Sequence, residues 1–158
     1  MAAESRLVAS TVIQAPPEKV WEVVSATGRY AEWVVNTDEV VRTDNPRGGP
    51  DVTYDERNTI AGPWKASTRW RVTEFDPPHR QVHEGEGVAF AKGVRLEIDL
   101  APAGESTEIS NTAVYEPKFG PVGALLDKAL RPMLERDFRR TMENLKRLVE
   151  SEANVATR

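Results

Sequence analysis

Apolar residues recur along this chain with two different periods, and the change of period divides it into three parts. Arg6–Gln14 is rich in Val, Ile, Thr and Leu and predicts a strand, with no clear assignment of faces. Ala15-Pro16-Pro17-Glu18 ends it, and proline at this point suits the first turn of a helix. Val20, Trp21 and Val24 then follow helical spacing, with Glu18, Lys19 and Glu22 opposite, so a short helix is expected up to about Gly28. Tyr30 and Trp33, three residues apart, predict a second brief turn.

From Asp38 to Pro117 the period becomes two. Six strand-like runs are separated by Asn45–Pro50, Ala61-Gly62-Pro63, Asp76-Pro77-Pro78, Gly85-Glu86-Gly87 and Pro102-Ala103-Gly104. Connections this short join neighbouring antiparallel strands, because parallel strands need long crossovers. Alternation assigns most faces. Val94, Leu96, Ile98 and Leu100 form an apolar row, with Arg95, Glu97 and Asp99 opposite. Ile109, Asn111, Ala113 and Tyr115 form another, against Glu108, Ser110 and Thr112. Trp70 and Val72 oppose Arg69 and Arg71. Val52, Tyr54, Glu56, Asn58 and Ile60 oppose Asp51, Asp55 and Arg57. The run around Val82 does not resolve into faces.

The last part is helical. Val122, Leu125, Leu126, Ala129, Leu130, Met133, Leu134, Phe138, Met142, Leu145, Leu148 and Val149 keep a spacing of three and four. Gly120-Pro121 opens this helix, whose roughly 30 residues span about 45 Å. Pro132 lies inside it and predicts a kink near Lys128–Arg131. The polar tail Ser151–Arg158 is expected to fray. A one-sided meander and a one-sided helix each need cover, and packing the stripe across the concave sheet supplies both. The fold class is therefore α+β, in a single domain, as 158 residues suggest.

Composition narrows the functions. The net charge of -4 argues against nucleic acid, which calls for clustered Lys and Arg, and against attraction to anionic lipid. The absence of cysteine removes disulfides, thiolate catalysis and sulfur-ligated zinc. The N-terminal residues do not form a secretory signal, and no apolar run reaches the length of a transmembrane segment, so a cytoplasmic protein is expected. No nucleotide-binding motif or other cofactor signature occurs, and no cofactor is expected. Oligomeric state is left open by the pattern.

Several motifs carry a family likeness. Ile13-Gln14-Ala15-Pro16-Pro17-Glu18-Lys19-Val20-Trp21, followed by Tyr30 and Trp33, resembles the opening of the START-like (Bet v 1-like, SRPBCC) superfamily, and within it the polyketide cyclase/dehydratase branch. Val72-Thr73-Glu74-Phe75-Asp76-Pro77-Pro78 resembles that branch's mid-chain strand and turn. Phe138–Leu148 resembles its closing helix. The resemblance covers residues 6 to 150. It implies a helix-grip fold: seven antiparallel strands curved around the long helix, with two short helices after strand 1. It also implies a hydrophobic or amphipathic small molecule as partner, such as a lipid, polyketide or quinone. Some members cyclise aromatic polyketides, and such a fold hosts many activities.

Candidate pocket residues follow from the inward rows and the helix stripe. The polar and aromatic candidates are Tyr54, Glu56, Asn58, Trp70, His83, Asn111 and Tyr115, and the apolar ones are Leu96, Ile98, Leu126, Leu130, Met133 and Leu134. Against this stands the plainer reading that the polar side chains satisfy one another. Glu56 is the one candidate general base on an inward row away from a strand end, but a carboxylate in water at the pore mouth is the favoured alternative. Glu74, beside a turn, is expected to be exposed. His79 and His83 need not share a face, so no metal is expected; His83 alone remains a candidate acid or base. Trp21, Val24 and Trp33 read as structural, and Trp64 sits at a hairpin tip. The leading expectation is binding or transport of the small molecule. The alternatives are a polyketide cyclase or dehydratase, with Glu56, Tyr115 or His83 moving protons, and a protein-interaction module.

Overall fold

In the computed structural model, residues 4–156 are described, without the side chains of residues 61 and 156. β1 (Ser5–Ile13) is followed by α1 (Pro17–Val24) and a 3-10 turn (Thr27–Glu32). Six strands come next: β2 (Thr37–Thr43), β3 (Thr53–Ala61), β4 (Trp64–Asp76), β5 (Arg80–Glu86), β6 (Ala91–Ala103) and β7 (Ser106–Pro117). α2 (Gly120–Ala156) closes the chain. The strands form one antiparallel sheet in the order β1-β7-β6-β5-β4-β3-β2. The meander and the strand count expected from the turns are both present, and the helix-grip class holds.

Faces that alternation left open are resolved by packing. In β1, Leu7, Ala9 and Ile13 are buried while Val8 and Val12 are exposed. In β5, Gln81, Val82 and His83 are buried in succession, so no period of two could appear. β4 carries a register shift between Val72 and Glu74. The extra residue, Thr73, reverses the alternation, so Phe75 turns inward with its ring centroid 5.3 Å from that of Trp21. Glu74 is exposed and pairs with Arg80 at 3.3 Å, as its place beside the turn suggested. Ion pairs line the wet face, among them Arg42–Asp55, Arg69–Asp55 and Arg80–Asp99. Such exposed pairs each contribute about 0–1 kcal/mol and keep the face solvated.

α1 starts with Pro17 in its first turn and ends one turn before Gly28, where the Ser25 hydroxyl donates to the Trp21 carbonyl (2.6 Å). Val20, Trp21, Val23 and Val24 are buried against the sheet and α2, as is Trp33. The structural reading of Trp21, Val24 and Trp33 is upheld at this level, and Trp64 is 70% exposed at the β3–β4 tip.

α2 differs from expectation in two respects. Its stripe is buried only in part. Met142, Leu145 and Val149 belong to the main core, and Leu134 and Phe138 cover a second cluster of Leu7, Ala91, Ala113 and Tyr115. Val122 and Leu125 are about 70% exposed. The 37-residue helix is about 55 Å long, whereas the nine-residue β1, along which it runs from Asp127 beside Ser5 to Glu150 beside Gln14, spans roughly 30 Å, so one end must overhang. The tail also continues as helix to Ala156 rather than fraying from Ser151. Arg29 reaches across to Glu152 (3.0 Å), and Ala153 packs against the core. Pro132 lies on an exposed part of the helix, which continues through it as one element. At the entry to α2, a Cβ on Gly123 would fall 1.4 Å from the Lys118 carbonyl oxygen, so only glycine permits the tight approach. Among the described residues, no helix is long and apolar enough to cross a membrane.

Candidate functional site

The inward face is not uniformly apolar. Two buried polar groups interrupt it, one at the β2–β4 end and one over β5.

The first is built on Glu56. Its side chain is buried, contrary to the expected pore-mouth carboxylate, with β2 paired alongside β3 and Thr37 of β2 hydrogen-bonded to it. Glu56 Oε2 accepts from Thr37 Oγ1 (3.3 Å) and Asn58 Nδ2 (3.2 Å). Trp70 Nε1 donates to Thr68 Oγ1 (3.0 Å), which donates to Asn58 Oδ1 (2.8 Å). The donors therefore run in one direction and end on the carboxylate. Burial nonetheless dominates and raises the Glu56 pKa above its ordinary value.

The second group is aromatic. Tyr54 Oη lies 2.6 Å from His83 Nδ1, both side chains being fully buried. Tyr30, brought over the sheet by the 3-10 turn, sets its ring edge-on to Tyr54 (centroids 5.3 Å apart) and to Trp33 (5.6 Å), and tilted to His83 (5.9 Å). Trp70 stacks parallel to Tyr54 at 6.5 Å. Its indole lies over Gly85, where a Cβ would collide with it. Burial pushes the His83 pKa down to about 4 and holds the Tyr30 and Tyr54 hydroxyls well above their ordinary range. At neutral pH all three are uncharged.

Among the described residues, five buried side-chain polar atoms have no hydrogen-bond partner: Tyr30 Oη, Trp33 Nε1, Gln81 Oε1, His83 Nε2 and Asn111 Oδ1. Gln81 Nε2 is engaged by the Val24 carbonyl (2.9 Å). The Gln81 side chain also lies near enough to Tyr30 to ease its ionisation, yet the two do not reach hydrogen-bonding geometry. Leaving such groups unpaired costs about 1–3 kcal/mol each. They share the inward side of the sheet, through β5 and β7, and the turn that covers it.

The other expected pocket residues fall into three sets. Ile98 is buried beside Gln81 and Asn111 in sheet register, and Leu96 is half-buried beside His83. Tyr115 is buried, but its hydroxyl donates to Asp127 Oδ1 on α2 (2.5 Å), and Ser5 Oγ donates to the other carboxylate oxygen (2.5 Å). Leu130, Met133 and Leu134 are half-buried, and Leu126 is 44% exposed on the overhanging end of α2. His79 is exposed in the β4–β5 turn, away from His83, and among the described residues no group of three or more His, Cys, Asp or Glu could hold a metal.

Tyr30, Trp33, Gln81, Thr37 and Thr68 were not among the expected pocket residues. Gln81 was legible in principle, since it lies two residues before His83 on one strand face. The unbroken burial of residues 81–83 hid that face.

Comparisons with known proteins agree with this architecture. A family model described as polyketide cyclase / dehydrase and lipid transport matches residues 5–150. A Mycobacterium tuberculosis protein named as a toxin is 27% identical over 142 residues, covering 89% of this chain and 94% of the relative. The crystal structure of Zhui aromatase/cyclase from Streptomyces superposes with a TM-score of 0.79 at 14% identity, covering 96% of each chain. A major latex-like protein from Panax ginseng superposes with a TM-score of 0.65 at 12% identity, over 90% of this chain and 95% of the other. At these identities the two structures speak for the fold alone.

Proposed function

Because the chain belongs to the polyketide cyclase / dehydrase and lipid transport family, we propose that it binds a small apolar or amphipathic molecule between the concave sheet and α2. The START-like, Bet v 1-like resemblance of its opening motif is thereby upheld. The observation that carries the proposal is the set of five partnerless buried polar atoms among the described residues, three of them on the aromatic side chains of Tyr30, Trp33 and His83. A packed core without a guest pairs nearly all its buried polar groups. A wall of Tyr30, Tyr54, Trp33 and Trp70 with a few unpaired donors and acceptors has the composition of a small-molecule site.

The test uses Nile red, a neutral solvatochromic dye, titrated into the intact protein. One saturable site per chain is expected, and Leu96→Trp, which adds bulk to the inward face beside His83, is expected to weaken it at least tenfold. Failure to saturate, or equal binding by the Leu96→Trp variant, refutes the chamber.

A second reading, an enzyme moving protons within the same chamber, is favoured by one observation. Glu56 and His83 are buried ionisable groups whose pKa values are displaced from the ordinary, and Tyr54 is hydrogen-bonded to the histidine. Displaced pairs of this kind set acid and base roles. In this reading Tyr54–His83 relays the proton, as the expectation for His83 allowed. Tyr115 takes no part, its hydroxyl being engaged by Asp127. Turnover of a poly-β-ketone substrate that survives Tyr54→Phe removes this reading.

A further inference from the structure

The partnerless atoms also constrain the chemistry of the guest, given the chamber proposed above. One hydrogen lies between Tyr54 Oη and His83 Nδ1, 2.6 Å apart. Tyr54 Oη makes no other hydrogen bond among the described residues. If Nδ1 carried the imidazole hydrogen, the Tyr54 O–H would lack an acceptor and Nε2 would present a bare lone pair, leaving two groups unmet. If Tyr54 donates to Nδ1, the hydrogen sits on Nε2 and only one group is unmet. The second arrangement is favoured by one buried hydrogen bond, and it makes His83 Nε2–H a donor without an acceptor.

Gln81 is fixed in the opposite sense. Its amide nitrogen faces the Val24 carbonyl, which would repel the amide oxygen, so Oε1 is left as an acceptor without a donor. Gln81 and His83 are two residues apart on one face of β5, about 7 Å along the strand. The Tyr30 hydroxyl, able to donate or accept, belongs to the same cluster, its ring centroid 5.9 Å from that of His83.

Charge completes the picture. Among the described residues, the buried polar and charged ones include no lysine and no arginine. Glu56 is the ionisable acid whose field reaches Tyr30 and Tyr54. A carboxylate or phosphate here would lose its water, find no counter-charge and meet a like charge, and an ammonium would lose its water against a Glu56 carboxyl already held by Thr37 and Asn58.

We infer that the chamber selects a neutral molecule with an apolar ring body and a polar edge bearing both an acceptor oxygen and a hydroxyl, as in a phenol, enol or ketol. Fatty acids and phosphorylated lipids are selected against. One phenolic oxygen satisfies both demands, accepting from His83 Nε2–H and donating to Gln81 Oε1 or Tyr30 Oη.

Equilibrium dialysis of the intact protein at pH 7 against 2-naphthol, naphthalene, 2-naphthoate and 2-naphthylmethylamine tests this on one ring body. 2-Naphthol is expected to bind about tenfold or more tightly than each of the others, the effect of one or two recovered hydrogen bonds. His83→Phe is expected to reduce that preference over naphthalene to below about threefold. Gln81→Met, which removes the acceptor at similar volume, is the second variant should His83→Phe not fold, with the same expectation. Equal binding of all four probes, or tighter binding of the carboxylate or ammonium, overturns the head-group inference and leaves the chamber standing. A preference unchanged in a folded variant overturns the assigned donor and acceptor. Binding of none of the probes, together with failure of the Nile red titration, overturns both.

Discussion

Gly85→Ala is expected to displace Trp70 from its stack on Tyr54. The two residues face one another in register across β4 and β5. A Cβ on Gly85 would lie 2.4 Å from Trp70 Cε3 and Cζ3 and 2.6 Å from Cδ2. Ordinary carbon contact begins near 3.5 Å, so the rigid indole must move by about 1 Å or change rotamer. Overpacking of this kind costs about 1–3 kcal/mol. Movement also breaks the 3.0 Å bond from Trp70 Nε1 to Thr68, a net loss of about 1 kcal/mol. Against these stands a gain of about 0.5–1 kcal/mol from replacing a strand glycine. The sum is a loss of about 1–3.5 kcal/mol, which for a chain of this size lowers Tm by roughly 2–14 °C. Urea unfolding gives the stability, and near-ultraviolet circular dichroism reports the Trp70–Tyr54 stack. Gly93→Ala is the control, because its nearest contact, the Gly85 carbonyl oxygen at 3.7 Å, is an ordinary one. A Gly85→Ala protein as stable as the parent, with an unchanged near-ultraviolet spectrum, refutes the claim that this glycine exists to seat the indole.

Two further outcomes follow from buried polar groups. His83 has a folded pKa of about 4 against an ordinary 6.5, so the unfolded chain takes up a proton that the folded chain refuses. Its contribution to stability therefore falls as pH drops from about 6.5 to about 4, by roughly 3 kcal/mol. Urea midpoints across that range are expected to show a flatter slope for His83→Phe, and an unchanged slope sinks the assignment. Glu56 acts in the opposite sense: its raised pKa makes the folded chain the better proton binder, so its cost grows as pH rises above 4.5. Glu56→Gln in parallel separates the two. At the other end of the sheet, Tyr115→Phe deprives Asp127 of its phenolic donor and is expected to cost about 1.5–3 kcal/mol, as for a bond to a charged group. Amide exchange should quicken in the first turns of α2 while Met142–Val149 stays protected. Uniform quickening along α2 contradicts a local pin.

Periodicity was sufficient for the architecture. The alternation of Val94–Leu100 and of Ile109–Tyr115, the short polar turns and the three-and-four stripe of α2 are each local patterns, and together they determined a one-sided meander covered by a helix. The inward positions of Tyr54, Glu56, Trp70 and Asn111 came from the same parity. Parity fails wherever a third element or an irregularity acts. The Thr73 bulge reversed β4, the consecutive burial of Gln81–His83 erased the alternation of β5, and β2 turned Glu56 from a rim carboxylate into a buried one. Tyr30 and Gln81 are 51 positions apart in the chain, and only the closing of the 3-10 turn over β5 makes them neighbours. Local pattern records which side of an element leaves water. It carries no record of which distant groups meet there, or which of them remain without a partner, because those contacts are set by the packing of all the elements at once.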